Sequence, residues 1–253
     1  MKHNLIILFC LFVAGCAGQE SSSSGPSAGD AAQAYTQLGM QYLRSGESAS
    51  AKKAFQRAQE IDDSSVASYN GLAMVFQLED EPELAEKYFK QAVALAPDSA
   101  MLHNNYGAFL FSLARYKEAC RELARATEDP FYNRRGQAFE NLGRCYQLME
   151  RDDAAEHAFK RSLKLDSRRP VSLIELSNVL LNKGETEAAI NYFNQFSLMI
   201  DAKQVKHTAK SLWLGVRIAR AQNDAVNAAT YGLILRSLYP ESIEYSQYKE
   251  STP

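Results

Sequence analysis

Nothing in this chain is spaced like a reaction centre. It has four histidines, and those beyond the first ten residues, His103, His157 and His207, stand far apart. There is no HExxH, no GxSxG and no glycine-rich phosphate loop, which removes the usual zinc-hydrolase, serine-hydrolase and nucleotide-binding arrangements. The four cysteines, Cys10, Cys16, Cys120 and Cys145, include no CxxC and no metal-ligand spacing. The formal net charge is only −2, and no stretch interleaves aromatic with basic residues. That excludes a dedicated nucleic-acid binder, which needs a strongly basic face. No catalytic residue, metal, cofactor or small-molecule substrate is expected. Long apolar runs are also missing: Leu5 to Phe12 is the one continuous stretch, too short to span a bilayer as a helix.

That short run has another use. Met1-Lys2 supplies a positive start and Leu5–Phe12 an apolar centre of signal-peptide length. Val13-Ala14-Gly15-Cys16 then resembles a bacterial lipobox, in which the cysteine is acylated and becomes the first residue after cleavage. Acyl chains contribute about 0.8 kcal/mol per buried methylene, so several on Cys16 make a lasting anchor. Ala17 follows, where an aspartate would favour the inner membrane by analogy with bacterial lipoproteins, so the expected address is the outer membrane with the folded body in the periplasm. Residues 1–15 are thus a leader, and 16–30 the lipidated cysteine with a Ser/Gly-rich tether. Asp30 is the expected N-cap of the helix that follows. Cys120 and Cys145 read as two buried thiols, which an oxidising periplasm would allow to pair.

From residue 31 to 253 the chain repeats itself. In 66–99, Tyr69, Leu72, Ala73 and Phe76, then Ala85, Phe89, Ala92 and Pro97, resemble the two helices of a tetratricopeptide repeat. Small Ala73 and Ala85 let two antiparallel helices approach, the aromatics fill the space around them, and Pro97 cannot continue the second helix. One unit cannot bury its own apolar face, so neighbours are required. The pattern recurs over about 32–65, 66–99, 100–133, 136–169, 170–203 and, more weakly, 208–241. A two-residue slip in register falls at 129–135, and Gly46 and Gly184 break the chain between helices. Residues 241–250 read as an amphipathic cap. The expected fold is all-α: a right-handed superhelical solenoid of six repeats with a short capping helix.

First helices of stacked repeats line the concave face. Counting along the repeat places Met40, Leu43, Asn70, Met74, Leu78, Met101, Asn104 and Phe111 there. Apolar residues lined up across three repeats point to a partner-binding groove. Methionine suits an adaptable surface, and the asparagine amides could bond a peptide backbone. His103 sits where the pattern wants a bulky packing residue. The runs Glu79-Asp80-Glu81 and Arg151-Asp152-Asp153 fall at inter-helix turns, where solvation and the next helix's N-terminus account for them.

Three strings are more particular than the repeat: Leu102-His103-Asn104-Asn105-Tyr106-Gly107, Phe139-Glu140-Asn141-Leu142-Gly143 and Leu238-Tyr239-Pro240-Glu241-Ser242-Ile243-Glu244-Tyr245. With the lipobox and the repeats, they resemble the PilF/PilW family of type IV pilus biogenesis and stability lipoproteins. The resemblance implies a pilotin, an outer-membrane lipoprotein that binds secretin subunits and helps them reach or assemble in that membrane. The competing reading is a lipoprotein scaffold that regulates cell-wall enzymes or other envelope assembly.

Overall fold

The computed structural model describes residues 27–251, and everything regular among them is helical. Six antiparallel pairs follow one another: α1 (Ala28–Arg44) with α2 (Ser48–Ile61), α3 (Val66–Leu78) with α4 (Pro82–Leu95), α5 (Ala100–Ser112) with α6 (Tyr116–Ala126), α7 (Arg135–Leu148) with α8 (Asp152–Leu165), α9 (Pro170–Asn182) with α10 (Thr186–Asp201), and α11 (Ala209–Ala221) with α12 (Ala225–Leu238). Helix α13 (Ile243–Glu250) closes the last pair, packing on α11 and α12. Each pair also packs on the next, which makes a solenoid of repeats. No helix among the described residues is long and apolar enough to cross a membrane.

The small residues do what the pattern asks of them. Ala51, Ala85, Ala119, Ala155 and Ala189 are fully buried on successive second helices. Phe55 is wedged between α1 and α3, and a Cβ on Gly39 or Gly71 would come within 2.6 and 2.3 Å of its ring. In the fifth repeat Ser177 is buried instead, its hydroxyl donating to the Ala189 carbonyl at 2.7 Å. Ion pairs tie neighbours together: Arg115 bonds Glu86 of the preceding repeat at 2.6 Å and holds that carboxyl down at about 2.

The cap of the first helix differs from expectation. Ser27, not Asp30, caps α1: its hydroxyl accepts from the Asp30 N–H, and the Asp30 carboxylate accepts from the Ser27 N–H at 3.1 Å. Asp30 is the third helical residue of a capping box, and α1 begins at Ala28. The cysteines also differ from expectation. Cys120 and Cys145 are bridged, with Cα atoms 5.6 Å apart, so they are not two free thiols. A separation of 25 residues hid this, because α6 and α7 lie side by side.

Every pair turns the same way. Gly46, Asp80, Ala114, Glu150, Gly184 and Asn223 each follow a first helix with φ between 55° and 79°. The next N–H reaches back to close the helix end, as in Arg115 N–H to Leu110 O at 3.0 Å and Glu185 N–H to Leu180 O at 2.9 Å. This left-handed conformation costs a residue with a Cβ about 1–2 kcal/mol, and Ala114 has no polar side chain to offset it. Ala114→Gly should therefore raise stability by about 0.5–1 kcal/mol, net of glycine's extra freedom when unfolded. Urea unfolding checks this, and an unchanged midpoint would contradict it.

Candidate partner-binding groove

The first helices bring four of the eight expected groove residues together. Met40, Asn70, Met74 and Met101 line one open cavity of about 580 Å³. Its opposite wall is the segment between α6 and α7: Asp129, Phe131, Tyr132, Asn133 and Arg134. The register slip at 129–135 had marked this segment as an insertion, without showing that it folds back over the groove. The Asp129 side chain accepts from the Phe131 N–H at 2.8 Å, and Arg135 donates to the Thr127 carbonyl at 2.7 Å. Between these anchors Phe131 stands 93% exposed at the lip.

The other four residues lie elsewhere. Leu43 turns onto the core of the first repeat, beside Ala51 and Phe55. Leu78 is exposed at the end of α3, outside the cavity. Phe111 sits in a separate depression, edge-on to Tyr116 and beneath the Arg144 guanidinium at 5.2 Å. Asn104 is buried. Counting along a repeat identifies the face but not the depth of a side chain on it.

The asparagines need a further correction. Asn141 donates to Asn104 at 3.1 Å, Asn104 approaches Asn105 at 3.4 Å, and Asn105 donates to Asn70 at 3.1 Å. Asn70 then directs its amide at the Met74 sulfur, 3.6 Å away. These amides form a chain across α3, α5 and α7, so Asn70 and Asn104 are engaged with each other's neighbours instead of standing free for a peptide backbone. Their role is to hold three first helices in register beneath the methionines. Asn70→Ala would leave the Asn105 amide unpaired in a half-buried site, a cost of stability before it is a cost of binding.

His103 is packed, 2% exposed, but it is also wired. Its Nε2 donates to the Pro97 carbonyl at 2.8 Å and its Nδ1 meets the Glu122 carboxylate at 2.8 Å. Both partners are acceptors, so the doubly protonated ring fits best. The Glu122 carboxylate accordingly raises His103 above its ordinary value, and the His103 ring holds Glu122 below its own. A raised histidine stabilises fully below about 6.5 and loses that contribution as pH climbs through its folded value. A depressed glutamate does the reverse on the acid side, below about 4.5. The stability difference between wild type and His103→Gln should then be larger at pH 5.5 than at pH 8.5, in urea unfolding at both; an equal difference would rule out the charged ring. The bond to Pro97 also fixes the loop whose next residues, Asp98 and Ser99, rim the groove.

Three comparisons place the chain among known proteins. The tetratricopeptide-repeat family matches residues 30–98, 76–133 and 132–169. The type IV pilus assembly protein PilF of Pseudomonas aeruginosa is 36% identical over 252 residues, covering 98% of both chains. A solved structure of Pseudomonas aeruginosa PilF superposes with a TM-score of 0.82 at 37% identity, over 89% of this chain and 99% of the other. That of PilW, a widely conserved type IV pilus biogenesis factor, gives 0.73 at 29% identity, over 85% and 97%.

Proposed function

We propose a function from one premise: the chain belongs to the tetratricopeptide-repeat proteins and, within them, to the PilF family of type IV pilus assembly proteins. It is a type IV pilus biogenesis factor that works through protein contacts. More specifically, it is a pilotin. Cys16, which lies outside the described residues, carries the lipid anchor; the folded body sits in the periplasm beneath the outer membrane. There it binds secretin subunits and promotes their delivery to, or multimerisation in, that membrane.

The observation that carries the binding role is the methionine-lined groove with its aromatic lip. Unbranched methionine side chains adapt to an apolar segment, and an aromatic exposed to this degree at a cavity mouth has nothing among the described residues to cover it. Cys16→Ser should leave a folded protein that leaves the membrane fraction and takes up no labelled fatty acid. Affinity capture of the full chain from envelopes should recover the secretin, and fewer secretin multimers should form with the released variant. Recovery of cell-wall hydrolases without secretin would overturn the pilotin reading and favour an envelope scaffold.

A further inference from the structure

Past α5 the concave face changes chemistry. At the helical turn where α1 and α3 carry Met40 and Met74, helices α7, α9 and α11 carry Arg144, Asn178 and Arg217. Two depressions, of about 340 and 510 Å³, open there. They share Asn178, Asn182 and Lys210, so together they form one trough across the three helices.

Its lining sets Arg144, Lys210 and Arg217 against Asp152, Glu175 and Glu244, but the charges are not all paired. Arg217 is half-buried and donates to the Asn178 and Asn182 side-chain carbonyls, both at 2.7 Å. Burial draws its guanidinium below the ordinary value. Arg144 stacks on Phe111. Neither guanidinium has a carboxylate partner among the described residues. Of the three carboxylates, Glu175 holds Lys210 through both oxygens, at 2.7 and 2.6 Å. Asp152 and Glu244 lie in the first turns of α8 and α13, where helix-end N–H groups complement negative charge.

The geometry points to a second binding site, separate from the methionine groove, for an extended acidic peptide segment that bridges Arg144 and Arg217. Guanidinium groups take carboxylates in paired, charge-assisted bonds. Asn178 and Asn182 can exchange their bonds to Arg217 for bonds to a peptide backbone once a carboxylate arrives. First helices packed about 8–10 Å apart put the two arginines roughly 16–20 Å from each other. At about 3.3 Å per residue, carboxylates some five or six residues apart would reach both. The inference does not depend on which protein the methionine groove holds.

Trp213, the chain's single tryptophan, lines the same trough and reports on it. Blocked hexaglutamate added to the purified full chain should change its emission saturably and release or absorb heat in calorimetry. Blocked hexaglutamine should do neither, and raising salt should weaken the acidic peptide. Arg144→Gln and Arg217→Gln should each weaken hexaglutamate about tenfold or more. Arg144 is exposed, so its variant stays folded even if Arg217→Gln does not. Met74→Glu should leave this binding unchanged, which separates the two sites. Equal binding of hexaglutamine, no response by either method at millimolar peptide, or wild-type affinity in folded Arg144→Gln would overturn the site.

Discussion

Replacing Cys120 and Cys145 together by alanine should cost about 2–4 kcal/mol of stability, and the loss should fall mainly on the third and fourth repeats. The estimate comes from the loop the bridge closes, 25 residues by sequence separation, for which the chain-entropy account gives about 3 kcal/mol. Both positions are buried, so small side chains there leave no polar group unsatisfied. The location sharpens the expectation. Connections between repeats elsewhere run over 62–65, 96–99, 166–169 and 202–208, whereas α6 and α7 are joined by 127–134, the longest of these connections. The bridge pins the two helices at the junction where the chain itself constrains them least. Without it, hydrogen exchange should quicken first in 127–134 and the start of α7, because local opening follows the weakest interface. Asp129, Phe131 and Arg134 in that connection form the far wall of the methionine groove, so partner capture should weaken as well. Reductant should reproduce the stability loss in wild type and add nothing in the double variant. An unchanged urea midpoint in the double variant would show that helix packing alone holds the junction.

The helix pairs were legible because each repeat asks for specific volumes at specific positions. A second-helix alanine recurs against the first helix, and Phe55, Phe89 and Phe159 fill the space that glycine or alanine leaves. Such a pattern fixes spacing to within a few residues, and the observed helices follow it. What it could not show was direction and depth within a face. Leu43 and Met40 lie one turn apart on α1, yet only Met40 lines the cavity. Asn70 and Asn104 occupy groove positions but are drawn under by Asn105 and Asn141, whose place in the amide chain depends on how α3, α5 and α7 are set against each other. The trough between Arg144 and Arg217 was hidden for the same reason: α9 supplies the asparagines and α11 the guanidinium, 39 residues later. Ala114 in a left-handed turn was missed because only Gly46 and Gly184 announce that conformation by residue type. Pairings between repeats need the stack, and one repeat's pattern does not contain it.

Met74→Glu and Met101→Glu should each weaken capture of the partner about ten- to a hundredfold while the protein stays folded. Met101 is 43% exposed, and Met74 is half-buried, packed against the core formed by Ala73, Ala85 and Phe89 while lining the cavity. A carboxylate at either place remains hydrated in the free protein, so the stability change should stay within about 1 kcal/mol. Bound to an apolar segment it must shed that water without a partner, at about 1–3 kcal/mol or more. That penalty converts to the stated loss of affinity. Two controls separate binding from folding. Leu78→Glu places the same charge on a residue 66% exposed and outside the cavity, and should change neither property. Asn70→Ala should do the opposite of the methionine variants, lowering the melting temperature by breaking the amide chain and weakening capture only as the fold loosens. Secretin capture and thermal melts on the same preparations decide among these. Met74→Glu and Met101→Glu proteins that melt like wild type and still capture secretin at full strength would exclude the methionine groove as the contact surface.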